Sequence, residues 1–503
     1  MRWLSASILL ALSAVCASAD AGRQTTFQAS YSSSLSERLQ SGLSVEGLLR
    51  HSRHLQKIAD EHDGTRVFSS PGHNATLEYI YDWTTEHGYD TYFQPMYLNY
   101  TETVKAEASV LGGKPLSSLK LMTFTTSTPI DGIEAPLLHI QGHGCDAAEY
   151  PDNANGKVIL VERGECAFGQ KAYAGGVVGA SAVLIYNNDK GPLSGTLGQD
   201  FPEGAPTAGL SDEDGQYLLA LLEQGDVQVY ASIVELREER RTYNVIAQTK
   251  SGNPENVIVI GAHSDSVAAG PGINDNGSGT AALLELAHLV SRTTPNNAVR
   301  FCWWTAEEYG LLGAKHYVEN LSEEERAKIA LYLNFDMIAS PNYYNGIYDG
   351  DGSDSAIKGP AGSGAIEKLF QDYFASKGES SDPSEFDGRS DYGPFINVGI
   401  PSGGLFTGAE VAKTEEQAAK YGGKAGEPYD ACYHQHCDNI DNLNTEAFLL
   451  HARGLAHAIA TFSDSTKLLE DEQNAHSISG QSHTELDLEA VWPSGAEKYA
   501  VMM

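Results

Sequence analysis

The chain has 503 residues, too many for one core and in the range of roughly two to four domains. Its 67 acidic residues against 33 basic ones give a formal charge of −34, which repels a phosphate backbone and disfavours nucleic-acid binding. Apolar residues at 41% and charged residues at 20% are ordinary for a folded chain and exclude general disorder; the acidic excess reads mostly as a solvated surface, with a weak preference for cationic partners such as a substrate amine.

Residues 1–19 join a basic start, a short apolar core and the small-residue end Ala17-Ser-Ala19, the pattern of a secretory signal cleaved after Ala19. No later run approaches the roughly 20 apolar residues of a spanning helix, so no membrane partner is expected. The expected product is exported to the medium, with an acidic vacuole-like lumen as the other destination. Export places the cysteines in an oxidising compartment. Of six cysteines, Cys16 leaves with the signal, so five remain. Cys432 and Cys437 close a tight loop, Cys145 and Cys166 form the natural second pair, and Cys302 is expected to be a buried thiol. Sequons at Asn74, Asn99 and Asn320 suit a glycosylated exported protein, whereas Asn276 is expected to stay unmodified beside Asp275.

Residues 20–40 are polar and Ser-rich and read as a lead-in or short propeptide. Leu43 to His62 predicts a helix, and Asn74 to Glu86 a clearer one with Asn74 as its cap, ended by His87-Gly88. Tyr89 to Tyr100 reads as an edge strand because of Pro95. Residues 41–103 thus lead into a different texture over 104–236, where short β runs (Leu137–Ile140, Lys157–Val161, Ser181–Tyr186) alternate with Gly, Pro and Asn turns. From 237 to 465 the pattern is strand, loop, helix: strands at Asn256–Ala262, Val299–Thr305 and Ala330–Phe335, helices at Gly279–Arg292, Ala306–Asn320 and Leu443–Phe462. This alternation predicts an α/β fold, a mixed, mostly parallel sheet with helices on both faces. Residues 466–503 read as a polar tail without periodicity.

Chemistry-bearing residues stand where the apolar runs of the third region stop. His263 ends a strand, with Asp265 two residues on as a carboxylate that could hold one imidazole tautomer. Asp275 lies in the loop Gly272-Ile-Asn-Asp-Asn-Gly-Ser-Gly279, whose glycines allow close backbone approach. Glu307 and Glu308 are adjacent carboxylates at a strand end, which repel unless a cation offsets them; the competing reading is an acidic helix start. Asp336 ends the next strand. Cys432-Tyr-His-Gln-His-Cys437 fixes Tyr433 and one of His434 and His436, between which the residues alone do not choose. Nitrogen and oxygen donors without thiolate suit zinc, manganese or cobalt, and two such ions roughly 3.5–4 Å apart would bridge and activate a water.

Taken together, His263-Ser-Asp265, Asn274-Asp-Asn-Gly-Ser-Gly279, Thr305-Ala-Glu-Glu308, Asn334-Phe-Asp336 and Cys432-Tyr-His434…Cys437 resemble the co-catalytic two-zinc aminopeptidases, the family that holds aminopeptidase Y and secreted leucine aminopeptidases. Gly156–Ala172 with Gly175–Asn187 resembles a protease-associated domain, which makes 104–236 a β-rich insert into a zinc-peptidase catalytic domain whose N-terminal part is 41–103 and whose main part is 237–465. The resemblance implies two zinc ions per chain, with Asp275 between them, His263 and Asp336 on one, and Glu308 and His434 on the other. It implies Glu307 as general base and Tyr433 as oxyanion donor, and it resolves the histidine choice in favour of His434. Gly388–Phe395 and Pro401–Thr407 resemble the family's substrate-side loops, with Arg389 and Phe406 as pocket candidates; a loop ion pair and simple packing are the plainer readings of these two. The expected activity is release of unblocked N-terminal residues, apolar ones such as Leu, from peptides by a monomeric enzyme. A carboxypeptidase or dipeptidase on a related scaffold, or a non-catalytic binding ectodomain, are the alternatives; the intact metal positions argue against the latter.

Overall fold

The computed structural model describes residues 34–198, 201–355 and 357–479. The expected signal segment, most of the expected lead-in and the end of the tail lie outside them. The described chain forms two compact units, one of residues 34–96 and 241–479 and the other of residues 97–240.

In the first unit a sheet runs, from one edge inward, through Asp382–Ser384, Gly346–Tyr348, Ser402–Phe406, Ile329–Phe335, Asn253–His263 and Asn297–Trp304, which then pairs with residues 245–248. Four of these six pairings are parallel and two antiparallel, so the sheet is mixed and mostly parallel. Alternation along the strands decides how it is covered. Ile258, Ile260, Phe301, Trp303, Leu331 and Leu333 face one apolar core with the helices Gly277–Val290 and Thr445–Asp464. Val257, Val259, Cys302, Trp304 and Tyr332 face another with the helices Leu312–Glu319 and Gly393–Asn397. A strand buried on both faces needs apolar residues at every position, which explains the unbroken Val257-Ile-Val-Ile260 run.

Several boundaries differ from the sequence expectations. The second helix begins at Pro71, capped by Ser70, whose hydroxyl accepts from the His73 amide; Asn74 is exposed inside the first turn and caps nothing. Proline at the first helical position supplies a preset φ, so the Ser-Pro pair outweighs Asn74. The strand expected to end at Tyr100 runs Asp90–Val110 through Pro95. Residues 34–42 are helical, and Leu35, Leu39 and Leu43 pack into the core, so this end of the lead-in is built into the fold. The helix Lys467–Ser479 occupies the start of the expected tail, with Leu469 buried and Glu472 accepting from the Gly362 amide. The helix expected from Ala306 begins only at Leu312. Ala306 and Leu311 both have left-handed backbones, which break a helical path and leave Glu307 and Glu308 in a turn.

The second unit packs Ile133–His139, Val158–Glu162, Ala182–Tyr186 and Thr207–Leu210 into one sheet, with the helices Phe168–Val177 and Asp212–Leu222. Cys145 and Cys166 are bonded there, Cys432 and Cys437 in the first unit, and Cys302 is a buried thiol. Asn74, Asn99 and Asn320 are exposed, while Asn276 is fully buried. No helix among the described residues is long and apolar enough to cross a membrane.

Candidate metal centre

Parallel register gathers the candidate residues. Trp304 lies opposite His263, and Asn334 opposite Gly261, so three neighbouring strands end at one level. His263 closes its strand, Glu307 and Glu308 follow Trp304 by a few residues, and Asp336 follows Phe335 directly. Such carboxyl ends of strands are where open α/β sheets bind ligands. Asp275 is added by the loop before helix Gly277–Val290. Its neighbour Asn276 caps that helix by accepting from the Gly279 amide, and its side-chain amide donates to the Phe335 carbonyl. The hydrogen bond to Phe335 ties the loop to the strand that presents Asp336. The Asp275–Asn276 peptide bond is cis.

His263 Nε2 stands 3.1 Å from Asp275 Oδ1, 3.4 Å from Asp336 Oδ1 and 3.9 Å from Glu307 Oε2. His434 Nε2 stands 3.1 Å from Asp275 Oδ2 and 2.9 Å from Glu308 Oε2. Two three-residue donor sets result, His263–Asp275–Asp336 and Asp275–Glu308–His434, and they share Asp275 through its two oxygens. His436 is exposed on the same disulfide loop. Tyr433 stacks on the His434 ring with centroids 3.8 Å apart. Asp265 stands 3.6 Å from His263 Nδ1, too far for a hydrogen bond, and its Oδ1 accepts instead from the Glu307 amide.

Electrostatics favour a cation here. Burial works to lower the His263 pKa, yet the carboxylates of Asp336 and Glu307 hold it well above its ordinary value. His434 is pushed up to about 12 by Glu308 and Asp275 against the same opposing burial. Burial and the neighbouring Asp275 carboxylate raise Glu308 to about 7. Burial also raises Glu307 well above its ordinary value, with Asp336 and Asp391 adding to it. Glu307 and Glu308 pushed up together with both imidazoles mark an excess of negative charge that positive charge relieves.

The residues fit a divalent metal. The donors are imidazole nitrogens and carboxylate oxygens with no thiolate, a set that suits zinc. Buried Oε1 of Glu308 and Oδ1 of Asp336 have no hydrogen-bond partner, although both belong to the cluster. Asp336 is oriented by Ser390, whose hydroxyl donates to Oδ2 at 2.6 Å. A third acidic group, Asp349–Asp351–Glu367, differs: Asp349 and Glu367 accept from main-chain amides.

Arg389 pairs with Glu410 at 3.2 Å, and Phe406 packs against Tyr344 and Tyr348. Those contacts match the plainer readings of the two residues. Three residues near the centre were not singled out from sequence: Ser390, the buried Asp391 whose Oδ1 lacks a partner, and Asp438. Asp438 Oδ1 accepts from the Asn274 amide and Oδ2 from the Asp275 amide. Its signal was available, since it directly follows Cys437.

The fold and this cluster define an α/β chain whose strand ends frame two metal-donor sets sharing one carboxylate. Residues 244–459 match the model of peptidase family M28, and residues 133–218 match that of the PA domain. Probable leucine aminopeptidase 2 of Aspergillus fumigatus is 48% identical over 423 residues, 83% of either chain. The solved aminopeptidase from Aneurinibacillus sp. strain AM-1 is 26% identical, with a TM-score of 0.66 over 84% of this chain and 95% of that one. BSAP, a zinc aminopeptidase from Bacillus subtilis, shares the fold at 24% identity, with a TM-score of 0.61 over 83% of this chain and 95% of that one. The chain belongs to peptidase family M28, as an aminopeptidase with a PA domain.

Proposed function

We propose that this protein is an exported, monomeric zinc aminopeptidase that holds two zinc ions and removes unblocked N-terminal residues, preferring apolar ones such as leucine. The observation that carries the two-metal reading is Asp275, whose two oxygens face His263 and His434 in two separate donor sets. His263 and Asp336 would hold one zinc, Glu308 and His434 the other, and Asp275 both. Bound there, zinc supplies Lewis-acid polarisation of the scissile carbonyl and of water.

The side chains divide the remaining work. Glu307, beside the cluster and in neither donor set, takes the proton from the attacking water and delivers it to the leaving amine. Tyr433, stacked on His434, donates its hydroxyl hydrogen bond to the oxyanion that develops on the substrate carbonyl. Acidic groups of the same site hold the free α-amine, which restricts cleavage to the first bond. Leucine preference is supported by the name of the 48%-identical relative. Export is supported by the pattern of residues 1–19 and by two disulfides, which persist in oxidising compartments. The exposed sequon residues Asn74, Asn99 and Asn320 are the proposed glycosylation sites.

Metal analysis of purified protein, combined with hydrolysis of leucyl-nitroanilide and its N-acetyl derivative, tests the reading. Two zinc ions per chain and activity confined to the free amine are expected. Equal cleavage of the acetylated compound, or one zinc at saturation, would overturn it.

A further inference from the structure

Between His263 and Asp275 the chain makes a loop of eleven residues, 264–274, and its course depends on a residue about two hundred positions upstream. Arg66 is fully buried, yet it meets no carboxylate directly. Its Nη1 donates to the Ser264 carbonyl at 2.5 Å, Nε to the Pro271 carbonyl at 2.9 Å and Nη2 to the Gly272 carbonyl at 2.6 Å. The main chain adds to this grip. The Arg66 amide donates to the Ser266 hydroxyl at 2.9 Å, and the Arg66 carbonyl accepts from the Ser266 amide at 3.2 Å.

Both ends of the loop are therefore held at one guanidinium. Ser264 directly follows His263, and Gly272 also accepts the Gly277 amide at the start of the helix that follows Asp275. Gly272 has φ +61, and a Cβ there would lie 2.3 Å from the Asp275 carbonyl oxygen, so the turn that aims Asp275 leaves no room for a side chain. The same upstream segment reaches the other ligand turn. Phe68, fully buried, meets Tyr309 edge-on with ring centroids 4.6 Å apart, one residue after Glu308. His73 Nε2 lies 2.9 Å from the Ser264 hydroxyl.

Burying a guanidinium costs free energy unless its donors are satisfied. Burial lowers the pKa of Arg66 to about 10, which leaves it charged at neutral pH, and the fields of Asp265, Asp438, Asp275 and Glu308 oppose that lowering. So a buried cation in the field of the acidic cluster also sets the path of the loop that joins two candidate ligands. Lysine, with a single ammonium, cannot reproduce a planar fork that reaches three carbonyls.

We propose that Arg66 is a positioning residue of the metal centre: it fixes the 264–272 loop so that His263 and Asp275 converge, and its charge offsets the carboxylates behind them. The inference rests on the two-zinc reading above. It also makes the segment preceding the second unit part of the active centre, outside the 244–459 match to the peptidase family.

Arg66→Lys and Arg66→Ala are compared with wild type by zinc affinity in chelator competition, by kcat and KM, and by circular dichroism. Loss of partners that orient metal ligands typically costs 10–100-fold in metal affinity or activity. A loss of at least about tenfold in zinc affinity is expected in both variants, with kcat falling more than KM changes. Sub-denaturing guanidinium chloride should restore zinc retention to Arg66→Ala, which urea should not. Folded variants with wild-type zinc affinity and kcat would overturn the proposal, as would Arg66→Ala that guanidinium leaves unchanged. Should either variant fail to fold, the other carries the test together with Arg66→Gln, which removes the charge and the three-carbonyl fork, and wild-type zinc affinity there overturns the proposal. A wild-type protein that takes up no zinc would instead remove the metal reading beneath it.

Discussion

Asp438 holds the main chain of Asp275: its Oδ2 accepts the Asp275 amide at 2.9 Å while its Oδ1 accepts the Asn274 amide at 2.8 Å. The Asp438 carbonyl also accepts from the Ile273 amide, and Asp430 accepts from the Asn274 side chain at 2.7 Å. The loop that carries His434 is thereby clipped at both of its ends to the loop that carries Asp275. Asp438→Ala should uncouple the two, leaving two buried amides without acceptors. Zinc affinity should fall by about 10–100-fold, with secondary structure kept. Wild-type zinc content after dialysis against a weak chelator would sink this account.

In the proposed roles, Glu307 and Asp275 separate proton transfer from metal binding. Glu307→Gln removes the base but neither donor set, so zinc content should stay near wild type while kcat falls by roughly 10²–10⁴-fold. Asp275→Ala removes a donor from both sets and should lose metal as well as activity. Parallel measurement of zinc by atomic emission and of turnover distinguishes the two. Comparable zinc loss in both variants would make Glu307 a metal ligand and overturn its role as base.

The sequence made the donors legible because each ends a β run or sits in a glycine-rich loop, and parallel register then brings such ends together. His263, Glu308 and Asp336 could be read that way, and the short cysteine loop marked out His434 or His436. Contacts made by main chain were not legible. Nothing in the local pattern around Arg66 shows that its partners are three carbonyls two hundred residues away. Ala306 looked like helix because alanine favours one, and the turn at Glu307–Leu311 wins only through contacts made after folding, including the Glu307 amide on Asp265. The core-packed helix 34–42 was missed because three leucines in a Ser-rich stretch are a weak signal until a partner surface is known.

The Cys432–Cys437 bond closes a loop with a sequence separation of 5. Closure of so short a loop contributes about 2 kcal/mol through the unfolded chain, a modest part of a domain's stability. Its larger effect should be local, since His434 has a left-handed backbone at φ 55 and sits inside the loop. The double substitution Cys432→Ser with Cys437→Ser is expected to stay folded and to lose zinc and turnover together, with partial recovery at high zinc concentration. A double variant that retains full zinc at the wild-type affinity would show that Asp430 and Asp438 hold the loop unaided.

His451 gives a stability test away from the metal centre. Its ring is fully buried in the helix Thr445–Asp464, with Nε2 3.0 Å from Asn345 Oδ1 and Phe374 against its face edge-on. Nδ1 has no hydrogen-bond partner, so a second proton would be buried without an acceptor. Burial lowers the pKa to about 3 from an ordinary value of 6.5. The folded pKa lies below the unfolded one, so the unfolded chain binds the proton first as the medium is acidified. Stability from this group is fully present above pH 6.5 and declines as pH falls towards 3, by at most about 1.4 kcal/mol per pH unit. His451→Gln keeps a donor for Asn345 and removes the titration. Urea unfolding of both proteins at pH 7 and pH 5 isolates the term, because the carboxylates contribute alike to each. The variant should lose less stability than wild type between the two pH values, by roughly 1–2 kcal/mol; equal losses would mean that His451 takes up its proton in the folded protein.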